Sequence, residues 1–123
     1  MISKRQQDVK HAQREAFLYR EIASLFSRLM TNEPQLSGMF INRISLSPDR
    51  GLCTVYFYTT AGRDTFKKQL PTLILYKPSL RDAIAKALQS RYTPEIRFAY
   101  DDQYDKQRRV EDLIEQLKIE GKL

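Results

Sequence analysis

The chain is poor in the residues and runs that build several kinds of protein. It has one cysteine, Cys53, in 123 residues, so no internal disulfide can staple it, and a reducing cytoplasm is the compartment that such usage fits. No apolar run approaches the roughly 20 residues that span a bilayer. Met1-Ile2-Ser3-Lys4-Arg5 leads into polar sequence rather than the apolar centre of a signal peptide, so no membrane partner is expected. The single histidine, His11, sits among cations with no neighbour to orient it as a base, and Cys53 has no histidine beside it to activate a thiolate. No nucleophile–base pair, P-loop, Gly-rich phosphate cradle or metal-ligand spacing occurs. An enzyme is therefore not expected, nor a catalytic group, a metal, a cofactor or a small-molecule substrate. The nearest approach to a metal cluster is Asp101, Asp102 and Asp105. A calcium loop needs alternating ligands, a central glycine and a terminal glutamate, so a solvated turn is the simpler reading.

What is present is enough for one core: 41% of the residues are hydrophobic, with no internal repeat and no low-complexity tract, which suggests a single domain over residues 1–123. The net charge of +6 is unevenly spread. Residues 1–30 carry six Lys/Arg against three Asp/Glu, residues 31–62 two against two, residues 63–100 eight against three, and residues 101–123 five against seven. Positive charge on helix-like segments is the pattern of a protein that meets phosphate.

The apolar spacing gives an order of elements. Ser3 can cap a first helix whose stripe is Leu18, Ile22, Leu25, Phe26 and Leu29, ending before Thr31. A strand over Phe40–Ser47 points Ile44 and Leu46 one way and Arg43 and Ser45 the other. Pro48-Asp49-Arg50-Gly51 then makes a hairpin turn in which Gly51 takes the positive φ. The return strand, Cys53 to Thr59, sends Cys53, Val55 and Phe57 inward and leaves Thr54, Tyr56 and Tyr58 outward. Asp64 can cap a helix through Phe66, Leu70, Leu73 and Ile74, with a kink or late start expected at Pro71. A second break is expected at Tyr76-Lys77-Pro78, because proline suits a first helical turn. The following helix buries Leu80, Ala83, Ile84, Ala87 and Leu88 and turns Arg81, Lys86 and Arg91 outward. Pro94 forces extended backbone before it, so Ile96, Phe98 and Tyr100 alternate as a third strand. Asp105 is expected to cap a last helix, about 106–120, with Val110, Leu113, Ile114 and Leu117 against the core and Gly121 as terminator. A tight hairpin makes the first two strands antiparallel, and the long helical crossover makes the third parallel to the second. The result is an α+β two-layer domain.

One stretch carries more than periodicity. Leu80 to Asp101 contains L-R-x-x-I-A-K-A-L-x-x-R-x-x-P-E-I-x-F-x-x-D. Arg20-Glu21-Ile22-Ala23 with Glu33-Pro34-Gln35-Leu36, and Ile44-Ser45-Leu46-Ser47-Pro48-Asp49 with Val55-Tyr56, accompany it in order. This resembles ribosome-binding factor A, a bacterial assembly factor for the 30S ribosomal subunit. The resemblance implies a type II KH-like fold, in which a helix-kink-helix marked by Ala-x-Gly replaces the usual G-x-x-G loop. Here Tyr76-Lys77-Pro78 stands at that kink. It also implies a non-catalytic cytoplasmic factor, a monomer, whose partners are the small ribosomal subunit and 16S rRNA, and which assists late maturation and growth in the cold. A generic KH-like module with a different RNA is the alternative. The candidate RNA-binding residues are Lys77, Arg81, Lys86 and Arg91 around the third helix, Lys4, Arg5, Lys10 and Arg14 on the first, and Arg43, Tyr56, Tyr58 and Arg97 on the open face of the sheet.

Overall fold

The computed structural model describes residues 3–89 and 91–122. Helix α1 runs from Lys4 to Asn32, two residues past the expected end. Its start is a capping box: the Ser3 hydroxyl accepts from the Gln6 N–H at 3.2 Å, and the Gln6 carboxamide accepts from the Ser3 N–H at 3.0 Å. Leu18, Ile22 and Phe26 are buried as their spacing requires, with Leu25 and Leu29 packed beside them. The first three turns stand largely in solvent.

Strands β1 (Met39–Leu46) and β2 (Leu52–Thr59) form the antiparallel hairpin, and β3 (Glu95–Tyr100) runs parallel to β2, giving the order β1-β2-β3. The alternation in β1 is not regular. A bulge between Ile41 and Arg43 shifts the register, so Met39 and Ile41 before it and Ile44 and Leu46 after it all face the core. The turn also departs from expectation. Arg50, not Gly51, takes the left-handed conformation, at φ +62°. Gly51 serves close approach instead: the Asp49 carboxylate accepts from the Gly51 N–H at 2.9 Å and from the Ser47 hydroxyl at 2.6 Å. A Cβ on Gly51 would lie 3.2 Å from that same carboxylate oxygen.

Helix α2 (Arg63–Leu75) starts behind Gly62, whose φ of +92° makes the entry turn, so Asp64 is a first-turn acid rather than the cap. The helix neither starts late nor stops at Pro71. That proline is exposed, and water can take the carbonyl bond its missing N–H leaves open. Tyr76 ends α2, and α3 (Lys77–Leu88) begins at once with Pro78 in its first turn. Helix α1 lies against β1 and α3, and α2 against β2 and β3. Phe57 is the centre of the core between these layers, with the rings of Phe26, Phe98 and Phe66 at 5.1, 5.5 and 6.1 Å. Cys53 is buried there, and burial pushes its thiol up to about 11, which suits a packing residue and not a nucleophile.

The last helix, α4 (Asp102–Ile119), corrects two expectations. Its cap is Asp101, whose carboxylate accepts from the Tyr104 N–H at 3.1 Å, so it begins four residues before the expected start near 106. It also does not pack on the core: none of its described residues is buried, and Val110, Leu113 and Ile114 are exposed. The core face of β3 is already filled by α2 and α3, and only Tyr104 of α4 joins the hydrophobic cluster.

Asp101 is not part of a solvated acidic turn. It is 1% exposed and takes bonds at 2.9 Å from both Asn42 and the Arg43 guanidinium. Burial opposes its ionisation, yet those two bonds and the Tyr104 N–H outweigh it and hold the carboxyl below the ordinary range. A depressed folded value contributes stability above the unfolded value of about 3.9 and loses it as pH falls through the folded one. Asp101→Asn should therefore lower stability at neutral pH by about 1–3 kcal/mol and flatten its acid dependence below pH 4. Urea titrations of parent and variant from pH 2 to 7 would measure both.

Candidate nucleic-acid interface

The cations singled out in the sequence divide by whether a carboxylate meets them. On α3, Arg81 pairs with Glu95 at 3.2 Å and Lys86 with Asp82, one turn back, at 3.1 Å. Both pairs are on the surface, where such contacts are worth little and open readily to a stronger anion. The Lys77 ammonium lies 5.6 Å from the Phe98 ring and is half-buried at the kink. Arg91 is exposed, with its guanidinium 5.8 Å from the Tyr92 ring. The kink itself is tied down from outside: the Tyr76 hydroxyl donates to Glu33 at the end of α1, a bond that pushes the phenol's pKa up.

The open face of the sheet holds part of what its alternation suggested. Arg43 lies 3.8 Å over the Tyr56 ring, and Arg97 is exposed nearby on β3. Tyr58 is a correction. It is 6% exposed, capped by the Tyr104 ring edge-on at 4.7 Å and flanked by Phe40 at 5.3 Å. The first turn of α4 therefore closes this end of the face, and Tyr58 has no free ring to stack on a base. Arg43, in turn, is committed to Asp101 through one edge of its guanidinium.

The remaining predicted cations lie on the exposed half of α1. Lys4 and Arg5 are in its first turn, and Lys10 and Arg14 lie on a single face with Gln13 and Phe17, at i, i+3, i+4 and i+7. Arg50 from the β1–β2 turn and Leu88 from the end of α3 close the other sides of a groove of about 580 Å³ over these four. Among the described residues, Lys10, Arg14 and Arg50 pair with no carboxylate. Arg50 was not anticipated. The signal that hid it was Gly51 next door, which drew the positive φ in a reading of the turn by residue type alone.

The family profile for ribosome-binding factor A matches residues 10–114. The chain belongs to the ribosome-binding factor A family. A ribosome-binding factor A of Rhodopseudomonas palustris is 35% identical over 95 residues, covering 76% of this chain and 69% of that one. One from Magnetococcus marinus is 33% identical over 101 residues, 81% of each chain. The crystal structure of ribosome-binding factor A from Thermus thermophilus superposes with a TM-score of 0.63 at 24% identity, over 73% of this chain and 94% of that one. The KH-like, α+β architecture is thus that of the family. Within ribosome-binding factor A, this chain keeps the helix-kink-helix while building the break from Tyr76 and Pro78.

Two outcomes follow from these placements. Tyr58→Ala should cost about 3 kcal/mol or more, as removal of a buried ring does, whereas Tyr56→Ala should cost under about 1 kcal/mol, the worth of an exposed cation–π contact; denaturant midpoints would separate them. At the kink, Pro78→Ala alone should leave helix content unchanged because Glu33 still holds Tyr76. Combined with Tyr76→Phe it should raise the circular dichroism at 222 nm as α2 and α3 merge, and a rise in the single variant would show that proline alone makes the break.

Proposed function

We propose that this protein is a non-catalytic assembly factor that binds the immature 30S subunit through its 16S rRNA and assists late maturation, including in the cold. It acts as a cytoplasmic monomer whose residues 1–123 form one KH-like, ribosome-binding unit. Membership of the family carries this reading. The charge distribution supports it: the cations of α1, of the β1–β2 turn and of the α3 region are exposed or weakly paired, while the acidic balance lies in α4. Backbone phosphate is the anion that dispersed lysines and arginines meet best.

Lys77, Arg81, Lys86 and Arg91, on α3 and at its two ends, are the proposed phosphate contacts, joined by Arg97 on β3 and by Lys4 and Arg5 in the first turn of α1. Arg43 and Tyr56 form a stacked pair on the open face of the sheet. The exposed ion pairs of Arg81 and Lys86 exchange a carboxylate for a phosphate at little cost.

The test is co-sedimentation of the purified protein with small subunits, large subunits and free RNA. Retention by small subunits alone is the expected result, and equal retention by large subunits would sink the assignment. Four phosphate contacts predict a log–log salt slope of about −3. Replacing Lys77, Arg81, Lys86 and Arg91 together by Ala should abolish binding without moving the thermal transition.

A further inference from the structure

The groove over the exposed half of α1 has more than charge. Phe17, Ala87 and Leu88 give its lining an apolar part, beside Lys10, Arg14, Arg50 and the Gln13 side chain, which shares the Phe17 face of α1. A volume of about 580 Å³ is ample for one nucleotide and too small for a duplex. It also lies away from the kink. The Tyr76–Glu33 bond fixes the kink at the C-terminal end of α1, whereas the groove takes in Leu88 at the far end of α3. The 12 residues of α3 separate the two by about 18 Å at 1.5 Å per residue.

We propose that this groove binds a single unpaired nucleotide of RNA. The base lies against Phe17 and Leu88, the Gln13 amide offers a donor and an acceptor to the base edge, and the phosphates on either side meet Lys10, Arg14 and Arg50. The chemistry of the lining selects this ligand over its rivals. Three cations without carboxylate partners among the described residues call for anions spaced along a chain, and an aromatic ring in the same lining calls for a flat ring. Arg50 adds an independent sign. A non-glycine residue held at φ +62° is a conformational cost, and glycine would relieve it. The turn keeps an arginine there, with its backbone N–H bonded to the Ser47 carbonyl at 2.8 Å and Asp49 occupied by Ser47 and Gly51 rather than by Arg50 itself. The neighbouring depression, which shares Lys10 and Arg50, also contains Asp8 and Asp49. Repulsion on that side directs a phosphate chain toward Arg14.

The proposal rests on the RNA-binding reading above, and its test separates the two. The full chain and the variants Phe17→Ala, Phe17→Tyr and Arg50→Gly are titrated with a labelled ten-nucleotide oligouridylate and with a fully paired RNA hairpin, and each protein is also sedimented with small subunits. The parent should prefer the single strand. Phe17→Ala should weaken the oligonucleotide about tenfold, as loss of one stacked base does, with the salt slope unchanged, and Phe17→Tyr should restore it. Arg50→Gly should weaken the oligonucleotide and lower the salt slope by about 0.7 while raising the thermal transition, a combination that a merely structural arginine does not produce. Oligonucleotide affinities equal to the parent's for both Phe17→Ala and Arg50→Gly, or no preference of the parent for the single strand, would overturn the groove assignment; with small-subunit binding intact in all of them, the proposed function would stand. A parent that binds the oligonucleotide through these residues but does not sediment with small subunits supports the groove and overturns the ribosomal reading.

Discussion

A buried carboxylate joins the two ends of this fold. Asp101 follows β3 directly, takes bonds from Asn42 and Arg43 on β1, and caps α4 through the Tyr104 N–H. Strand β2 lies between β1 and β3, so this one group reaches across the sheet and makes the edge strand, the last strand and the last helix depend on each other. The β-bulge is what allows it. In a regular strand Asn42 and Arg43 would point to opposite faces; the extra residue turns adjacent side chains toward a single acceptor. The buried charge is tolerated because each of its oxygens is bonded, and the arginine that neutralises it keeps its other face for the Tyr56 ring.

That arrangement also decides where charge is available. The excess of cations is a property of the whole chain, but carboxylates of the fold occupy some of them. Asp101 holds Arg43, Glu95 holds Arg81 and Asp82 holds Lys86. Those three pairs differ in strength. The first has a buried partner, whereas the other two are exposed and worth little. Three cations that no described carboxylate pairs, Lys10, Arg14 and Arg50, meet where α1 projects beyond the sheet, beside a turn whose own aspartate is engaged in closing it. A ribosome-binding surface on this protein is thus shaped as much by which acids are occupied as by where the bases lie.

Much of the architecture was legible from the chain alone, for identifiable reasons. The Ser3 cap, the stripe of α1, the inward set Cys53, Val55 and Phe57, the break at Tyr76-Lys77-Pro78 and the parallel third strand each follow from short-range rules: side-chain period, proline geometry and connection length. The errors share a different character. Alternation alone puts Tyr58 on the open face of the sheet, and it is there, but Tyr104 from α4 covers it. Val110, Leu113 and Ile114 have the spacing of a core-facing stripe and yet stand exposed. Asp101 looked like one of three solvated acids, and Arg50 looked subordinate to Gly51.

Local sequence determined the elements, their order and the faces they could bury, because period, capping and turn chemistry act within a few residues of each position. It also determined the family, through the run from Leu80 to Asp101. Tertiary structure alone decided which acid pairs with which base, which outward ring is covered, and which residues 30 or more apart share a groove, as Arg14, Arg50 and Leu88 do. The physical reason is separation along the chain. A bulge, a buried carboxylate and the direction of a terminal helix are set by partners dozens of residues away, and no periodicity within one segment encodes that meeting.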